Sequence, residues 1–468
     1  MRKYPRVIVA GLKGGSGKTT IALGIIAALK SHKGLKVIPY KKGPDYIDAG
    51  WLARAAGTSC YNLDPFLMPK EKAFQSFVSH FYGDIAVIEG NRGLYDGVDE
   101  AGSYSTAEVS KLLKSPVILV VDCAKMTRTA AALVLGCMHL DPEVSIKGVV
   151  LNQISGSRHE NVARKSIERY CALPVLGAIP RLRSENLPER HMGLTPHQEH
   201  GDADRVISAV EDMAIKYLDL EGILKIANEA TPLPDHKDHA AFNGNASERN
   251  IRIGVIRDTA FQFYYPENIE ELEKKGARIV EINSLEDGLL PDVHAIYIGG
   301  GFPETHALAL ARNTKFRNAL RRAVEEGLPV YAECGGLMFL GDALIVEGER
   351  YSMAGIFPLV FEMRTRPQAH GYTIVEVERQ NPFYPPGTIM HGHEFHYSAV
   401  LNCPEDGMLP TAFRMRKGSG IGKGVDGLWY KNAFATYTHL HAYGAQEWGK
   451  AMVRLAKKFS ETRTSLRT

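Results

Sequence analysis

Cys334 has the sequence surroundings of a nucleophile. It follows a β-type run that ends at Glu333, and it precedes a pair of glycines and an apolar stretch at 337–344 that predicts a helix. Nucleophiles are held in this way on sharp strand-to-helix turns, where glycines let the backbone bend and a substrate carbonyl approach. The N-terminus of the following helix favours the thiolate over the thiol. The alternative is a buried, inert thiol.

A thiol nucleophile needs a base, and the best candidate is His439. It lies in a strand-like run, 434–441, in which His439 and His441 share one face. A Cys–His pair makes the thiol nucleophilic near neutral pH, and such residues meet in the fold rather than in the sequence. A structural role is the alternative for this histidine. The amides of Gly300 and Gly301, which follow another predicted strand, would hold an oxyanion.

A glycine-rich loop follows the first predicted strand and opens a helix. Its backbone amides would cradle phosphate oxygens, Lys18 would neutralise the outer phosphates, and Thr19 would offer a hydroxyl to Mg²⁺. The strict loop pattern has glycine where Leu12 stands, and Lys13 is a second lysine. The predicted ATP-binding residues of the loop are Lys13, Gly14, Gly15, Ser16, Gly17, Lys18, Thr19 and Thr20.

Two acidic clusters follow the second and third predicted strands and should reach the same edge of the sheet as the loop. Because Mg²⁺ prefers oxygen ligands, Thr19 and Glu89 with Asp45 or Asp48 form a plausible set. Lys42 would steady a transferred phosphoryl group. The residues predicted to contact substrate or phosphoryl are Lys42, Asp45, Asp48 and Asp96. Helix caps and turns are the alternative roles for these acids.

Two further segments bear on the same site. Asn152 ends a strand where an adenine-reading side chain would lie, and a turn role fits this position equally well. The run 190–194 would line a substrate pocket, with a structural role for its histidine as the alternative.

Composition limits the class of protein. The 468 residues predict two or more domains, and 44% apolar with 23% charged residues is typical of a soluble globular chain. A net charge of +3 gives no basic field for nucleic acid. No signal peptide or run of about 18 apolar residues is present, so neither secretion nor a membrane is expected. The cysteines lack a C-x-x-C pair and fit a reducing cytoplasm: Cys60, Cys123, Cys137, Cys171, Cys334 and Cys403.

Short apolar runs alternate with helix-like runs in the first half of the chain, which predicts a doubly wound parallel α/β sheet. A polar segment with proline and glycine predicts a linker at 231–250 between domains at 1–230 and 251–468, and the second domain is also α/β. The predicted strands of the first domain are 6–10, 36–40, 84–89, 116–121, 146–151 and 174–179.

These motifs together resemble the family of cobyrinate a,c-diamide synthases. The C-terminal half resembles a class I glutamine amidotransferase domain of the cobyric-acid-synthase type, and the N-terminal half resembles the matching P-loop synthetase, which is related to dethiobiotin synthetase. The matching C-terminal segments are YIGGGFPE (297–304), AECGG (332–336), HGHEFHYS (391–398) and YTH (437–439). The matching N-terminal segments are KGPDYID (42–48), NLDP (62–65) and RHMGL (190–194).

The resemblance implies a ligase that uses ATP with Mg²⁺ and glutamine to amidate the a and c acetates of a tetrapyrrole through an acyl phosphate. The implied reaction converts cobyrinate to its a,c-diamide in cobalamin biosynthesis, in the cytoplasm, without nucleic acid or membrane partners; a homodimer is one assembly the sequence allows. Other class I glutaminases have glutamate where His441 stands, so a Cys334–His439 dyad is implied. Because Lys13 and Asn91-Arg92 depart from the family pattern, nickel-sirohydrochlorin (for coenzyme F430) and sirohaem stay open as substrates.

Two functions of other classes compete with this interpretation. Lys13 also suits a P-loop ATPase switch of the partitioning or nitrogenase-reductase type, in which ATP closes a dimer and no small product forms. The second competitor is a binding protein with an inactive glutaminase. The long thiol-bearing half argues against the first, and the presence of both Cys334 and His439 argues against the second.

Overall fold

A computed structural model of the chain describes residues 1–181, 196–199, 201–234, 250–401 and 410–465. The chain divides into an N-terminal unit, Met1–Pro65 with Lys70–His239, and a C-terminal unit, Phe66–Pro69 with Ala240–Thr468. The predicted linker at 231–250 lies mostly outside the described residues, so the predicted domain limits stay predictions.

The N-terminal unit is built on a seven-stranded sheet in which every pair is parallel. Its strands are β1 (Arg6–Gly11), β2 (Val37–Lys42), β3 (Tyr61–Leu63), β4 (Ile85–Glu89), β5 (Val117–Asp122), β6 (Ile146–Ile154) and β7 (Val175–Pro180). They lie in the order β3-β2-β4-β1-β5-β6-β7. All six predicted strands are present. The sequence does not predict β3, because a three-residue edge strand carries too short an apolar run.

Helices cover both faces of this sheet, as expected for a doubly wound fold. They are α1 (Lys18–Ser31), α2 (Tyr46–Ala56), α3 (Lys70–His80), α4 (Thr106–Leu112), α5 (Thr129–Leu140), α6 (Ser157–Cys171), α7 (Ala203–Tyr217) and α8 (Leu220–Asn228), with a 3₁₀ turn at His197–Glu199. Side chains alternate along β1: Val7 and Val9 pack with α1, α2, α7 and α8, whereas Ile8 and Ala10 pack with α3 to α6. The order reverses at β1, which lies between β4 and β5, and ligands bind at such switch points.

The C-terminal unit is built on a ten-stranded sheet with two smaller sheets beside it. Its strands are β8 (Ile251–Ile256), β9 (Phe261–Phe263), β10 (Ala277–Ile282), β11 (Ala295–Ile298), β12 (Gly300–Gly301), β13 (Val330–Glu333), β14 (Ala343–Val346), β15 (Glu349–Ser352), β16 (Val360–Met363), β17 (Ala369–Val377), β18 (Ile389–His396), β19 (Ser398–Val400), β20 (Thr411–Lys417), β21 (Val425–Tyr430), β22 (Ala433–Thr436) and β23 (His439–Leu440). Its helices are α9 (Pro266–Lys274), α10 (Ala307–Arg312), α11 (Thr314–Glu325), α12 (Gly335–Leu340) and α13 (Gln446–Ser465).

The large sheet is half parallel. The run β10-β8-β11-β13-β22 is parallel, and the run β22-β21-β20-β17-β18-β23 is antiparallel. Apolar residues of the parallel strands, such as Val330 and Tyr331 of β13, are fully buried in the two layers on either side. The parallel part therefore carries the strand-to-helix turns on which a nucleophile can stand.

Two local predictions about this unit are wrong. The helix predicted over 337–344 is α12, which ends at Leu340, and the chain continues as β14 because Gly341 adopts extended backbone and interrupts the helix. The strand-like run 434–441 is two strands: β22 ends at Thr436, and β23 pairs instead with β18.

Nothing in the described ranges resembles a membrane span, since their helices are all too short or too polar to cross a bilayer.

Candidate active site

Cys334 stands on a strained turn between β13 and α12. Its backbone has φ 48° and ψ −99°, a region that non-glycine residues seldom enter and that is concentrated at functional sites. Its amide donates to the carbonyl of Thr436 at 2.8 Å, which ties the turn to β22. A Cβ on Gly335 would lie 3.1 Å from the amide nitrogen of Gly301, and one on Gly336 would lie 2.8 Å from the carbonyl oxygen of Ile298. The two glycines therefore let the turn sit directly against the Gly300–Gly301 segment.

Burial of Cys334 favours the protonated thiol and so opposes the predicted effect of the helix N-terminus, which favours the thiolate. Burial raises the pKa of this thiol well above its usual value, and the carboxylate of Glu304 raises it further. The side chain is 5% exposed, and the helix that follows has only six residues. A base must accordingly take the proton when the sulfur attacks.

His439 is held beside the same glycine segment. In the β18–β23 pair it lies opposite His393, and the two rings stack with centroids 4.8 Å apart and planes at 19°. A Cβ on Gly300 would lie 2.5 Å from Cε1 of His439 and 3.3 Å from Nε2. On the other edge of the ring, Nδ1 lies 3.6 Å from Oε2 of Glu333. The imidazole, 3% exposed, is thus fixed on one face and on both edges.

The Gly300–Gly301 segment lies between these two candidate catalytic residues. It forms β12, which pairs with β9, and the backbone of Gly301 has φ 156°. A Cβ there would lie 2.1 Å from the carbonyl oxygen of Ala260, so only glycine fits. The structure thus brings Cys334, His439 and the segment to one place. The oxyanion role of its amides stays a prediction.

A buried carboxylate, Asp426, braces the backbone just before His439. Its Oδ1 accepts hydrogen bonds from the amides of Gly427 (2.8 Å) and Tyr437 (3.0 Å). Its Oδ2 accepts from the Thr436 hydroxyl (2.7 Å) and from the amide and hydroxyl of Thr438 (both 3.0 Å). This side chain therefore holds the bend between β22 and β23. The carbonyl of Thr436, at the start of the bend, accepts a hydrogen bond from the amide of Cys334, and His439 follows the bend.

His441, which is predicted to share a face with His439, has a buried partner of its own, and the common face stays a prediction. Its Nε2 lies 3.4 Å from Oε2 of Glu267, and its Nδ1 accepts a hydrogen bond from the amide of Tyr443 at 3.2 Å. Both members of the His441–Glu267 pair are 0% exposed. His441 therefore belongs to a separate buried pair.

In the N-terminal unit, the loop after β1 has the conformation of a phosphate cradle. Gly15 and Gly17 have φ 71° and 88°, values that suit glycine, and α1 begins directly afterwards at Lys18. The Lys18 ammonium donates to the carbonyl of Lys13 at 3.4 Å, and burial lowers the pKa of Lys18. The side chain of Lys13, 67% exposed, forms an ion pair with Asp122 at 3.3 Å.

Asn152 braces this loop from β6. Its Nδ2 donates to the carbonyl of Ser16 at 2.9 Å, and its Oδ1 accepts from the amide of Gln153 at 2.9 Å. A Cβ on Gly17 would lie 2.3 Å from Nδ2. Both ends of the Asn152 amide are engaged in this way, and adenine recognition by this residue stays a prediction.

The acidic cluster meets the loop at Thr19 and Glu89. The Thr19 hydroxyl donates to Oε1 of Glu89 at 2.5 Å. Lys41 joins Glu89 to Asp48: its Nζ lies 3.1 Å from Oε2 of Glu89 and 2.6 Å from Oδ2 of Asp48. Burial raises the pKa of Glu89 to about 7. Burial opposes the charge of Lys41, but Asp48 and Glu89 together raise its pKa.

The other predicted substrate residues have separate contacts. Oδ1 of Asp45 caps α2 by accepting from the amide of Asp48 at 2.8 Å, and burial raises the pKa of Asp45 to about 6. Asp96 accepts from the amide of Gly93 at 2.8 Å, as a turn residue does. Lys42 points to the face of β2 opposite Lys41, where its Nζ lies 3.9 Å from Asp64. The substrate roles of these residues stay predictions.

A cavity of about 1100 Å³ opens beside the loop at the ends of β5 and β6. Its lining includes Gly15, Asp122, Gln153, His159 and Arg181. The predicted pocket segment 190–194 lies outside the described residues.

Two site residues escape prediction from the sequence. Lys41 directly precedes the predicted Lys42. Side chains alternate along a strand, so the two lysines lie on opposite faces of β2, and Lys41 lies on the face that α1 covers. Glu333 lies beside Cys334 in sequence, and a glutamate that ends an otherwise apolar strand is the available signal. Neither signal says which partner the side chain meets.

Comparison with known proteins matches each half of the chain to a described family. Residues 252–447 match the CobB/CobQ-like glutamine amidotransferase domain, and residues 7–194 match the CobQ/CobB/MinD/ParA nucleotide binding domain. Three relatives named cobyrinate a,c-diamide synthase align with nearly the whole chain. The relative from Magnetococcus marinus is 42% identical and covers 97% of both chains. The relative from Archaeoglobus fulgidus is 40% identical over 97% of this chain and 98% of its own, and that from Methanothermobacter thermautotrophicus is 38% identical over 97% and 100%.

Proposed function

Because the chain belongs to the family of cobyrinate a,c-diamide synthases, we propose that it converts cobyrinate to cobyrinate a,c-diamide with nitrogen from glutamine and energy from ATP. It is a glutamine-dependent amidating ligase with a nucleotide-binding half and a glutaminase half. The observation that carries the chemistry is the placement of Cys334, at φ 48°, and His439 around one glycine segment, in a chain that also has a phosphate loop.

The C-terminal unit releases ammonia. The sulfur of Cys334 attacks the side-chain carboxamide carbon of glutamine while His439 takes the thiol proton, and the amides of Gly300 and Gly301 hold the oxyanion. The imidazolium then gives that proton to the departing nitrogen, which leaves as ammonia. Water hydrolyses the remaining glutamyl thioester to glutamate, with His439 as the base.

The N-terminal unit activates the carboxylate that receives the ammonia. Carboxylate oxygen attacks the γ-phosphorus of ATP, ADP leaves, and an acyl phosphate forms. Ammonia then adds to the acyl carbon and phosphate leaves, which gives the primary amide. Lys18 neutralises charge on the phosphates, while Lys41 holds Glu89 and Asp48 in place. We assign the nucleoside to the cavity of about 1100 Å³, because Gly15 of the phosphate loop is part of its lining.

The residues present fit Mg²⁺. Thr19 and Glu89 supply two hard oxygen donors whose atoms are already 2.5 Å apart, and Asp45 and Asp48 lie in the adjoining turn. Within the described ranges no three His, Cys, Asp or Glu side chains form a metal cluster, which suits an ion that takes its other ligands from phosphate and water. When bound, Mg²⁺ neutralises charge on the transferring phosphoryl group.

Two substitutions test this assignment. Cys334→Ser should abolish glutamine-dependent amidation and leave ammonia-dependent amidation intact, because added ammonia bypasses the glutaminase. Lys18→Ala should stop amidation from both nitrogen sources. If Cys334→Ser loses both activities, the two sites are not separable, and if Lys18→Ala stays active, the loop is not the ATP site.

The choice of macrocycle is tested by mass spectrometry. Purified protein is incubated with ATP, Mg²⁺ and glutamine and with cobyrinate, nickel-sirohydrochlorin or sirohaem in turn. We expect two successive amidations of cobyrinate and none of the other two. ATP turnover without amidation of any macrocycle would favour the P-loop switch instead. A cytoplasmic location and a homodimer stay predictions.

A further inference from the structure

The carboxylate of Glu333 faces the candidate base directly from the residue before the nucleophile. Its Oε2 lies 3.6 Å from Nδ1 of His439, and both side chains are almost wholly buried, at 1% and 3% exposed. Oε1 accepts a hydrogen bond from the amide of Leu440, the residue after His439, at 3.2 Å. One carboxylate thus contacts the histidine ring and the backbone that carries it.

A second layer of hydrogen bonds fixes this carboxylate. The Tyr297 hydroxyl donates to Oε2 of Glu333 at 3.1 Å. Asn268 in turn donates from Nδ2 to the Tyr297 hydroxyl at 3.2 Å and to the carbonyl of Leu440 at 2.9 Å, and its Oδ1 accepts from the amide of Ala442 at 2.7 Å. The position of Glu333 relative to β23 is therefore set by a buried network rather than by solvent.

The carboxylate favours one tautomer of His439. Oε2 of Glu333 lies 3.6 Å from Nδ1, just beyond hydrogen-bond length, and its negative charge favours a proton on that nitrogen, so that Nε2 is the nitrogen that accepts a proton. Nε2 lies on the side of the ring that contacts Gly300. The proton-accepting nitrogen is therefore directed towards the segment shared with Cys334.

The histidine two residues further along does not compete for this place. His441 pairs with Glu267, at 3.4 Å between Nε2 and Oε2, and brings no carboxylate to His439. The carboxylate that reaches Nδ1 of His439 belongs to Glu333, at the end of β13.

We propose that Glu333 is the positioning carboxylate of the glutaminase, so that the site is a Cys334–His439–Glu333 triad rather than a dyad. This inference rests on the proposed glutaminase function. Glu333 orients the imidazole and stabilises the imidazolium that forms when His439 takes the thiol proton; the proton stays on His439 until it passes to the departing ammonia.

Other titratable side chains also face His439. His393 stacks on its ring, and burial holds the pKa of His393 well below its usual value, which favours the neutral form of this neighbour. Glu394 and His396 interact with His439 electrostatically from β18. Within this set, Glu333 is the carboxylate that forms the ion pair with Nδ1.

Glu333→Gln and Glu333→Asp test the proposal in the full-length protein. Glu333→Gln should lower kcat for glutamine on the order of 10²-fold, because positioned acid–base groups contribute at least this much. KM for glutamine should change little, and the pH profile of kcat/KM should move to lower pH because the imidazolium loses its counter-charge. Glu333→Asp should restore the profile and part of the rate. Ammonia-dependent amidation should equal that of the wild type in both variants.

Glu267→Gln is the matched control, since it removes another buried carboxylate that faces an imidazole. It should leave the pH profile in place. An unmoved profile in Glu333→Gln, or equal losses with glutamine and ammonia, would overturn the proposal. If Glu333→Gln fails to fold, the pH profile of kcat/KM for Glu333→Asp is the deciding measurement. A profile that differs from that of the wild type contradicts the positioning role of Glu333. Retention of glutamine use by Cys334→Ser would instead refute Cys334 as the nucleophile of the glutaminase, the part of the proposed function on which the triad rests.

Discussion

The imidazole of His439 packs against Gly300 so closely that a Cβ at residue 300 would lie 2.5 Å from its Cε1 atom. Gly300→Ala must therefore displace the ring, and we expect glutamine-dependent amidation to fall by about 10²-fold, since small displacements in a site have effects of this size. Ammonia-dependent amidation should be unchanged. Steady-state rates with each nitrogen source make the comparison.

Gly288→Ala is a matched control in the same unit, because a Cβ there would meet only Lys315 at 4.0 Å. It should leave both rates unchanged. A Gly300→Ala protein with normal glutamine use would show that His439 either moves freely or is not the base.

The parallel strands, the phosphate loop and the cysteine turn could be predicted because short segments of sequence specify each of them. The strand 85–89 is a continuous apolar run whose last residue is the carboxylate Glu89, and Cys334 is marked by the strand before it and the glycines after it. Such patterns report burial on both faces of a sheet and a sharp turn. Glu89 and Cys334, at the carboxyl ends of their strands, can be picked out from the same short segments.

The pairing of Glu333 with His439 could not be predicted in this way. His439 reaches the site because β23 leaves β22 and pairs with β18, and no local pattern specifies that pairing. The Tyr437-Thr438 bend lets β23 leave β22. This bend depends on hydrogen bonds to Asp426, which belongs to β21. Likewise, the sequence does not say which of Lys41 and Lys42 contacts Glu89, because that depends on which helices cover each face of β2.

Lys41 is the charge that holds Glu89 and Asp48 together inside the N-terminal unit. Lys41 is 2% exposed, so Lys41→Met leaves the buried Glu89 and the partly exposed Asp48 without their cation, and we expect the free energy of unfolding to fall by about 3 kcal/mol. Glu89→Gln added to Lys41→Met should recover about 1 kcal/mol or more, because it removes a buried carboxyl group that must otherwise stay charged without its cation or take up a proton. Amidation should stay lost in both variants. Urea unfolding gives the stabilities.

Lys70→Met provides the comparison for a surface ion pair. Lys70 is 55% exposed and lies 3.2 Å from Glu108, so its loss should cost less than about 1 kcal/mol. Additive stabilities for Lys41→Met and Glu89→Gln would contradict the coupling inferred from the distances.

Asp426 is expected to support both stability and the glutaminase. In Asp426→Asn an amide NH2 group, which cannot accept a hydrogen bond, replaces one carboxylate oxygen. In place of Oδ1 it removes the acceptor of the buried Tyr437 amide, and in place of Oδ2 it removes the acceptor of the Thr436 and Thr438 hydroxyls. We expect a loss of about 2–3 kcal/mol and a larger loss of activity with glutamine than with ammonia. Asp292→Asn, at an exposed ion pair with Arg252, should cost less than about 1 kcal/mol. A stability unchanged by Asp426→Asn would mean that the bend forms without this side chain.

His396 is expected to make the C-terminal unit acid-sensitive. The ring stacks on Tyr437 with centroids 3.7 Å apart and donates from Nδ1 to the carbonyl of Ser398 at 2.9 Å. Burial lowers the pKa of His396 to about 4, although Glu394 lies 4.0 Å from its Nε2. The unfolded chain therefore binds a proton near pH 6.5, whereas the folded chain does not until about pH 4.

The stability that this histidine contributes is complete above about pH 6.5 and is lost as the pH falls towards 4. Between pH 7.5 and pH 5.0 the loss is roughly 2 kcal/mol. His396→Gln has no proton to bind, so the difference in unfolding free energy between wild type and variant should shrink by that amount over the same interval. Urea unfolding at the two pH values measures it, with His139→Gln, at an exposed position on α5, as the control. A parallel decline in wild type and His396→Gln would place the acid sensitivity elsewhere.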